Sequence, residues 1–372
     1  ERENTDDFFD EIGDTQWQKD KPLRTSLVTV VEVDGDTVTF EPPLSFDFDP
    51  DETTVRRIET VENVALGGFT IQGAYGEADP SKFSNTKSSA SGQAAVSVAG
   101  TENATLFNID IEDTASMGFV FAKSLYVDAS HLTVDGAHNK GGGGEGYAVW
   151  IRDVYNSEFT DLTVYDTRHA VVFASYTSAT GNYVQVADTN RDINFHGGRD
   201  HGNTVVVDNS VREGAEQSYM AWVAFVNEGT SYGAPTDPDA NEVTFRNVVG
   251  TSKGDWINAH EDGATIDGAG GSDLIRGGAG NDTLFGNNGN DRFVGLQGFD
   301  LIDGGSGTDV VEVDLERSET TLLQTTEGYL LYAGTGAALL TSVESLDLAD
   351  GTYSLSKSPQ TDGFYTLDHD LV

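Results

Sequence analysis

The sequence predicts an all-β fold, in which a right-handed parallel β-helix is followed by a parallel β-roll. Short segments of alternating apolar residues recur along the first two-thirds of the chain, each opened by Asn or a small polar residue. A nine-residue period follows them over residues 268–312. Gly is frequent, with 43 residues, and Pro is scarce, with 8, which favours many short strands joined by tight turns.

The composition excludes several classes of function. The 372 residues include 21 Lys+Arg and 62 Asp+Glu, a formal net charge of -41. We expect no nucleic-acid partner and no anionic membrane partner, because both require a basic surface. No apolar run approaches the ~20 residues of a membrane-spanning helix, so no membrane insertion is expected. The absence of Cys excludes disulfides and thiolate metal sites, whereas the excess of carboxylates suits divalent cations.

Residues 1–60 are predicted to form a lead-in or cap for the β-helix. Helical periodicity is confined to Asp6–Ile12. The segment TVVEVDGDTVTFEPPL alternates apolar and polar residues around Asp34-Gly35, a dipeptide typical of a two-residue hairpin turn. The sequence therefore predicts a β-hairpin in this region.

Residues 61–262 are predicted to form the parallel β-helix. Strand-like segments open at Asn63, Asn103, Ser124, Asn156, Asn182, Asn203 and Asn241, in steps of 40, 21, 32, 26, 21 and 38 residues. Steps of 21 to 26 residues suit one coil and steps near 40 suit two. Within a segment apolar residues alternate, as in Phe107-Ile109-Ile111, which indicates half-buried strands. We predict that Asn156, Asn182 and Asn203 stack at one corner, where their side chains satisfy buried backbone groups.

Residues 263–312 contain the most regular pattern in the chain. From Gly268 they read GAGGSDLIR, GGAGNDTLF, GNNGNDRFV, GLQGFDLID and GGSGTDVVE. The aspartates recur every nine residues, and an apolar residue follows each of them two positions later. This is the G-G-x-G-x-D-x-U-x pattern of the RTX family, in which glycines allow sharp turns and aspartates supply hard oxygen ligands. The pattern predicts a calcium-binding RTX parallel β-roll with Ca²⁺ as cofactor, held by Asp273, Asp282, Asp291, Asp300 and Asp309.

The resemblance to RTX proteins has further implications. Members of the family leave the cell through type I secretion machinery, guided by an uncleaved C-terminal signal. The chain ends in DGFYTLDHDLV, which is similar to such a signal. We therefore expect a secreted, extracellular protein, with residues 313–372 forming a C-terminal β segment and secretion tail. Ala269, Asn287 and Leu296 replace the second Gly of the repeat, so some calcium sites are expected to be weak.

A β-helix followed by an RTX roll resembles the secreted mannuronan C5-epimerases and rhizobial-type secreted polysaccharide glycanases. The β-helix alone resembles the pectin-lyase-like superfamily. The resemblance implies a polysaccharide substrate. The Asp-Pro-His-Glu motif of the epimerases does not occur in this sequence, nor does the H-E-x-x-H signature of the RTX metalloproteases.

Candidate catalytic residues are concentrated between His138 and His201. This stretch holds four of the seven histidines, five Lys/Arg and eight Asp/Glu, so its net charge is -3 in a chain of net charge -41. It is the relatively electropositive part of a strongly acidic chain. The residues predicted to act in catalysis are His196, His169, Arg191, Arg168, Arg199, His201 and Tyr147. Those predicted to bind substrate are Lys140, Arg152 and Trp222.

Similar spacing from the corner asparagines predicts that some of these residues meet. His169 lies 13 residues before Asn182, and Arg191 lies 12 residues before Asn203. Strands in neighbouring coils are ~4.8 Å apart, so Arg168 and His169 should lie close to Arg191 and Asp192. Alternatively, these charges serve as structural ion pairs on a coil surface: Arg152 with Asp153, Arg168 with Asp166, and Arg191 with Asp192.

These residue types favour a lyase acting on an acidic, uronate-containing polysaccharide. β-Elimination needs a cation to neutralise the uronate carboxylate, a base for the C5 proton and an acid for the leaving oxygen. Three alternatives stay open: a glycoside hydrolase using two of Asp153, Asp166, Asp192 and Asp200, a uronan C5-epimerase, and a non-catalytic RTX adhesin or glycan-binding solenoid.

Overall fold

The computed structural model describes residues 1–12, 23–174, 178–211, 222–226 and 240–355. The structure is almost entirely β with parallel sheets, so the predicted fold class is confirmed. The chain forms two compact units, Glu1–Val205 with Phe225–Val243, and Val206–Ala224 with Thr244–Val372. The predicted secretion tail lies outside the described residues.

Helix α1 spans Asp6–Ile12, and three short 3-10 helices span Pro50–Glu52, Ser88–Ala90 and Arg317–Glu319. The first seventeen strands are β1 (Thr29–Asp34), β2 (Thr37–Glu41), β3 (Val61–Glu62), β4 (Ala65–Gln72), β5 (Ala94–Ala99), β6 (Thr101–Glu102), β7 (Thr105–Thr114), β8 (Met117–Leu125), β9 (Asp128–Ala137), β10 (Tyr147–Tyr155), β11 (Glu158–Tyr165), β12 (His169–Ala174), β13 (Tyr183–Thr189), β14 (Ile193–Gly197), β15 (Asn203–Val207), β16 (Ala224–Val226) and β17 (Asn241–Phe245).

The later strands are β18 (Asn247–Val249), β19 (Trp256–Asn258), β20 (Thr265–Asp267), β21 (Leu274–Arg276), β22 (Thr283–Phe285), β23 (Arg292–Val294), β24 (Phe299–Asp303), β25 (Val310–Val313), β26 (Thr320–Gln324), β27 (Tyr329–Ala333), β28 (Gly336–Thr341), β29 (Ser345–Leu348) and β30 (Gly351–Ser354).

Two parallel sheets form the coils of the β-helix. One has the order β16-β14-β12-β10-β8-β6-β3, with β5 also paired to β8, and the other has the order β17-β15-β13-β11-β9-β7-β4. Successive coils add one strand to each sheet in register, which stacks Phe121, Ile151, Phe173 and Phe195. These four side chains are buried, and the rings of Phe173 and Phe195 lie parallel with centroids 4.3 Å apart. The stacked apolar positions form the core.

The hydrogen-bonded corner ladder is offset by one residue from the prediction. The side chain of Asn182 donates to Oδ1 of Asn203 at 2.8 Å, and that of Asn203 donates to Oδ1 of Asn241 at 2.8 Å. Ser157, not Asn156, occupies the same position one coil earlier, where its backbone N–H donates to Oδ1 of Asn182 at 3.1 Å. The predicted stacking of Asn182 and Asn203 is confirmed, and the place given to Asn156 is wrong.

Asn156 has a different function at this corner. Its φ is 48°, similar to the φ of 55° at Asn63 and 56° at Asn103. These residues turn the chain in the left-handed region, which Asn tolerates better than most residues. The Asn residues that open the predicted segments thus fall into two classes. Some turn the backbone, and others form the ladder, at a position one residue after the turn.

Long steps in the sequence are single coils with insertions. Strand β4 pairs directly with β7, although the two begin 40 residues apart. The prediction that such steps contain two coils is therefore wrong. The alternation at Phe107 also breaks, because Asn108 has φ of 50° and leaves Phe107 39% exposed.

Two N-terminal predictions are confirmed. The helix lies at Asp6–Ile12, and β1 pairs with β2 as an antiparallel hairpin around Gly35, which has φ of 59°.

The second unit is built from much shorter coils. Strands alternate between a sheet of order β18-β20-β22-β24-β28-β27-β26 and a sheet of order β19-β21-β23-β25-β29-β30. Neighbours within a sheet are therefore eighteen residues apart over the repeats, as Ile275 is from Phe293 and Leu284 from Ile302. The apolar residues that follow the repeat aspartates, Ile275, Leu284, Phe293, Ile302 and Val311, are all buried.

Candidate functional site

Three adjacent parallel strands bring the predicted catalytic residues of the β-helix together. Tyr147 begins β10, His169 begins β12, and the two residues are directly opposite in register. Strand β14 follows β12, with Val171 opposite Ile193. Asp192 precedes Ile193, and its carbonyl accepts from the backbone N–H of Ala170 at 2.9 Å. Residues far apart in sequence are therefore neighbours along the axis.

His169 and Asp192 form a buried pair. Nδ1 of His169 lies 2.9 Å and 2.8 Å from the two carboxylate oxygens of Asp192. The side-chain amide of Asn194 donates to the same carboxylate at 3.1 Å. A carboxylate at Nδ1 favours the tautomer with its proton there and leaves Nε2 as the acceptor. The predicted proximity of His169 to Asp192 is present in the structure.

Tyr147 packs against this pair. Its ring centroid lies 5.4 Å from that of His169 and 5.4 Å from that of Trp150. Burial raises the pKa of Tyr147, Arg168 opposes that rise, and the charges of Asp192 and Glu145 add to it. The phenol is therefore protonated at neutral pH and is able to donate a proton or a hydrogen bond.

His196 lies on β14 next to a local irregularity. The register shifts by one residue after Phe173, so that Ala174 lies opposite Gly197. The side chain of His196 is half-buried. Burial lowers its pKa below 6.5, His169 and Arg168 lower it further, and Asp192 acts in the opposite direction. His196 is therefore neutral near pH 7, in the form that accepts a proton.

Arg168 connects this cluster to a glycine-rich loop. Its guanidinium donates to the carbonyl of Gly141 at 2.7 Å, and its backbone N–H donates to the carbonyl of Gly146 at 2.7 Å. The loop is held in turn by Asn85, whose side chain accepts from the N–H of Gly141 at 2.8 Å and donates to the carbonyl of Gly142 at 3.0 Å.

Arg191 and Lys140 are buried and bonded to the protein itself. Arg191 donates to the carbonyl of Thr167 at 2.6 Å and to Asp166 at 2.9 Å. Lys140 donates to the carbonyls of Asp79 at 2.9 Å and Asp166 at 3.1 Å. Burial lowers the pKa of Lys140 to about 8, and the charge of Arg191 contributes to the decrease. Both cations hold coils and loops together at this position.

His201 and Arg199 contact aromatic residues of the N-terminal segment. The backbone of His201 bonds to Ala179 and Gly181, and its ring lies 4.7 Å from that of Phe46. Arg199 lies over the ring of Phe8 at 5.6 Å. Trp222 belongs to the second unit and is 42% exposed.

Arg152 lies close to the cluster. Its guanidinium covers the ring of Trp150 at 4.4 Å. Among the described residues, neither Nε of Arg152 nor Nε1 of Trp150 has a hydrogen-bond partner, although both atoms are buried. Trp150 therefore joins the site, together with Tyr147 and Val172, against which it packs.

Two groups of this region were missed from the sequence. Trp150 falls in an apolar run and resembles a core residue. Glu145 is buried and accepts hydrogen bonds from the hydroxyls of Ser91 and Ser116 and from the N–H of Gly92. Burial alone would raise the pKa of Glu145, but these hydrogen bonds outweigh it and the pKa is lowered. Ser91 and Glu145 are 54 residues apart, so no local sequence pattern could have identified this contact.

The repeat aspartates of the second unit form two ladders. On one side, the backbone N–H of each residue donates to Oδ1 of the aspartate eighteen residues later, from Asp255 to Asp273, Asp273 to Asp291, and Asp291 to Asp309, each at 2.8 Å. On the other side Ala264 donates to Asp282 at 2.7 Å and Asp282 to Asp300 at 3.0 Å. One carboxylate oxygen therefore links successive coils.

The second oxygens fit a hard cation. Oδ2 of Asp273, Asp291 and Asp300 is buried and accepts no hydrogen bond from the described part of the chain. A side chain at Gly268 or Gly286 would collide with Oδ2 of Asp273 or Asp291, so these turn positions leave room only for glycine. Burial raises the pKa of Asp273 to about 7, with contributions from Asp291, Asp255 and Asp267, and burial raises that of Asp300 to about 6. A bound Ca²⁺ would supply the missing positive charge.

Carboxylates alone do not enclose such an ion. In the described ranges, no group of three or more His, Asp or Glu side chains is arranged to hold a metal. The remaining ligands would therefore be the carbonyl oxygens of the glycine-rich turns, which are suitable donors for Ca²⁺.

The ladder of Asp273 extends beyond the repeats visible in the sequence. At one end Oδ2 of Asp255 accepts from the N–H of Thr251 at 2.7 Å and from its hydroxyl at 2.9 Å. At the other end Oε2 of Glu344 accepts from the N–H of Asp309 at 2.8 Å, across an inserted antiparallel hairpin of β26 and β27. Hydrogen bonds from Thr251 thus satisfy the carboxylate of Asp255 at the start of the ladder, and Glu344 takes the place of an aspartate at its end.

Comparison with known families agrees with this geometry. The family model described as RTX calcium-binding nonapeptide repeat (4 copies) matches residues 249–284, 261–293 and 285–315. Residues 249–315 therefore carry RTX calcium-binding repeats, and these begin upstream of Gly268 and of the predicted boundary at residue 263. A search of the curated proteins found no match. Within the described ranges no helix is long and apolar enough to span a membrane.

Proposed function

We propose that the protein is a secreted, calcium-dependent polysaccharide lyase that acts on an acidic, uronate-containing chain. The observation that carries the proposal is the pair of His169 and Asp192, 2.8 Å apart, flanked by Tyr147 and by a neutral, half-buried His196. A histidine held by a carboxylate beside a second titratable group is typical of proton-transfer sites. The site belongs to the predicted β-helix domain, residues 61–262.

Each step of β-elimination has a suitable group in this cluster. Arg168 would bind the uronate carboxylate, since a planar guanidinium matches its two oxygens. Neutral His196 would take the proton from C5. The electron pair of that C–H bond would form the double bond between C4 and C5 while the C4–O bond breaks. The leaving oxygen would take its proton from Tyr147, which His169 and Asp192 reprotonate.

Substrate binding would use Trp150 and Arg152. The guanidinium of Arg152 stacks on the indole of Trp150, and Nε of Arg152 and Nε1 of Trp150 are donors without a partner in the described residues. Arg152 was predicted to bind substrate. Arg191 and Lys140 would contribute indirectly, because their donors hold the loop and coils that carry Arg168.

The carboxylates favour a lyase over a glycoside hydrolase. All four aspartates considered for hydrolysis accept hydrogen bonds from the protein: Asp153 from Thr25 and Ser178, Asp166 from Arg191, Asp192 from Asn194, and Asp200 from Ala179. Inverting and retaining hydrolases need two carboxyl groups available across the scissile bond. A C5-epimerase would begin with the same proton abstraction and differs in returning a proton to the opposite face.

Secretion fits the calcium requirement. The roll over residues 249–315 would complete its fold where Ca²⁺ is plentiful, and RTX repeats are typical of proteins exported by type I systems. The export machinery would then be a partner of the chain.

One observation favours a second candidate function. Only 3% of His169 and 5% of Tyr147 is exposed. Burial of this degree is also expected of a structural hydrogen-bonded pair, and would suit a solenoid that binds glycan without cleaving it.

The test is a screen of purified, calcium-loaded protein against alginate, pectate and bacterial exopolysaccharides. A lyase produces the ultraviolet absorbance of an unsaturated uronate, a hydrolase produces reducing ends without it, an epimerase changes C5 configuration without cleavage, and an adhesin only binds. His196→Ala and Tyr147→Phe should abolish turnover on a substrate that the parent protein cleaves. The matched control is His131→Ala, which removes an exposed histidine paired with Asp161 at 3.2 Å. Equal loss in that control, or parent rates in both test variants, would contradict the assignment.

A further inference from the structure

One sheet of the second unit has an apolar outer face. Strands β22, β24, β28, β27 and β26 lie in that order. Two rows of residues run across strands β24, β28 and β27. The first row is Phe299, Ala337 and Tyr332, and the second is Leu301, Leu339 and Leu330. The intervening residues Ile302, Leu331 and Leu340 are buried, so these two rows point outward. The apolar residues of the outer face are Phe285, Phe299, Leu301, Leu323, Leu330, Tyr332 and Leu339, and the face is called the Phe299 face below.

The aromatic residues of the Phe299 face are exposed. The exposed fraction is 46% for Phe299, 45% for Tyr332, 44% for Leu301 and 36% for Phe285. Residues 320–341 contain a single charged residue, Glu327, although the whole chain has 62 Asp+Glu. Within the five strands, the outward positions contain one charge, that of Asp303.

The repeat does not dictate this apolar character. The other sheet presents the equivalent outward positions on β19, β21, β23 and β25. There Arg292 forms ion pairs with Glu312 and Asp347, and the exposed aromatic residue is Trp256, at 47%. The two sheets are built from the same repeat but differ in charge on their outer faces. The repeat therefore does not require the apolar residues of the Phe299 face.

The size of the Phe299 face limits what can cover it. Five strands at ~4.8 Å spacing and about five residues per strand give a planar area of a few hundred Å². A stable protein interface needs about 800 Å² from each partner, so a second copy is disfavoured. A lipid surface is disfavoured too, because no basic residue of these strands flanks the face and the chain has a net charge of -41.

We propose that the Phe299 face binds a neutral polysaccharide. The ring faces of pyranose units are apolar C–H surfaces that stack on aromatic side chains, and their hydroxyls lie at the periphery. Phe299 and Tyr332 are separated by one intervening strand, about 10 Å apart, roughly the length of two sugar units. Asp303 and Thr341, which lie opposite each other at one end of the face, and Thr321, which lies opposite Tyr332, would bond hydroxyl groups. An acidic chain would find one negative charge and no cation on these strands, so a neutral chain is favoured. This site is separate from the proposed catalytic cluster and requires no turnover.

The experiment uses the full, calcium-loaded chain in affinity electrophoresis or pull-down with three neutral glycans: amorphous cellulose, galactomannan and xylan. Alginate serves as the acidic comparison. The variants are Phe299→Ala and Tyr332→Ala, and the matched control is Trp256→Ala, which removes an equally exposed aromatic residue from the charged sheet. We expect at least one neutral glycan to retain the parent protein. Its affinity should fall by a factor of about ten or more in each test variant and should be unchanged in the control.

Other occupants would give different results. Failure of all three neutral glycans to retain the protein would overturn the proposal, as would equal weakening by Trp256→Ala. Binding to phosphatidylcholine vesicles that depends on Phe299 would assign the face to lipid. A dimer in analytical ultracentrifugation that Tyr332→Ala dissociates would assign it to a second copy. Because no variant touches the catalytic cluster, loss of glycan retention with unchanged cleavage separates this site from the proposed lyase.

Discussion

Asp291 joins two coils of the roll and holds a negative charge beside a glycine turn. Its Oδ1 accepts the backbone N–H of Asp273 at 2.8 Å, while its Oδ2 is buried next to Gly286. The same arrangement repeats every eighteen residues, so the roll stacks buried carboxylates along its axis. Without a cation, that stack is costly.

Calcium removal is expected to unfold the roll within the full chain. Folding and metal binding are coupled when buried ligands are anionic. In circular dichroism, excess chelator should remove β signal and should lower or abolish one thermal transition, and added Ca²⁺ should restore both. Mg²⁺ at the same concentration should not, because it demands a smaller and more regular site. An unchanged melting profile in chelator would contradict the coupling.

Asp291→Asn should change stability in opposite directions with and without calcium. The amide oxygen still accepts from Asp273, but the buried charge is gone. We expect the calcium-free protein to gain, and the calcium-loaded protein to lose, about 1–3 kcal/mol of unfolding free energy. Urea unfolding in chelator and in Ca²⁺ measures both. The exposed Asp314 provides the control Asp314→Asn, and a loss under both conditions would show that Asp291 is not a cation ligand.

Asn203→Ala should destabilise the β-helix far more than Asn156→Ala. The first substitution removes an acceptor of the N–H and side chain of Asn182, and a donor to Ala179 and Asn241. Leaving these buried groups unpaired costs about 2–4 kcal/mol. The second costs roughly 1 kcal/mol through its left-handed backbone alone, so Asn156→Gly should be nearly neutral. Chemical unfolding that finds equal losses would contradict the one-residue offset.

The pH profile of turnover should reflect His196. Burial, His169 and Arg168 lower its pKa, so the base is neutral at pH 7. On a substrate that the protein cleaves, the acid limb of kcat/KM should therefore have its midpoint below pH 6.5. Arg168→Gln removes one positive charge and should shift this midpoint to higher pH, in addition to raising KM. A limb that stays in place would argue against His196 as the base.

Lys140 should make stability rise with pH in an alkaline window. Its folded pKa is lowered from 10.5 to about 8. Between these values the unfolded chain binds a proton that the folded chain does not, so unfolding free energy increases with pH. Comparison of the parent with Lys140→Met by urea unfolding at several pH values isolates this slope, which the variant should lack. Parallel curves for the two proteins would contradict a buried, perturbed lysine.

The sequence by itself determined the repetitive parts of this protein. A nine-residue period places each aspartate and each apolar residue at the same point of a half-coil, whatever lies elsewhere in the chain. The burial of the apolar residues Ile275, Leu284, Phe293, Ile302 and Val311 and the calcium-binding character of the repeats follow from that period alone. Asn182 and Asn203, one short coil apart, could likewise be placed by counting. Similar offsets from them, 13 residues for His169 and 11 for Asp192, also predict that these two residues lie close together.

Tertiary structure decided the partners and the burial of residues that no fixed interval in the sequence connects. Asn156 and Ser157 differ by one position, and only the left-handed turn at Asn156 puts Ser157 in the ladder. Glu344 continues the ladder of Asp309 across an inserted hairpin, which breaks any fixed interval. The sequence pattern assigns Arg191 to catalysis and Lys140 to substrate binding, yet Arg191 donates to the carbonyl of Thr167 and Lys140 to the carbonyls of Asp79 and Asp166. A periodic pattern reports local geometry within a coil, whereas burial and partners depend on which insertions fold over that coil.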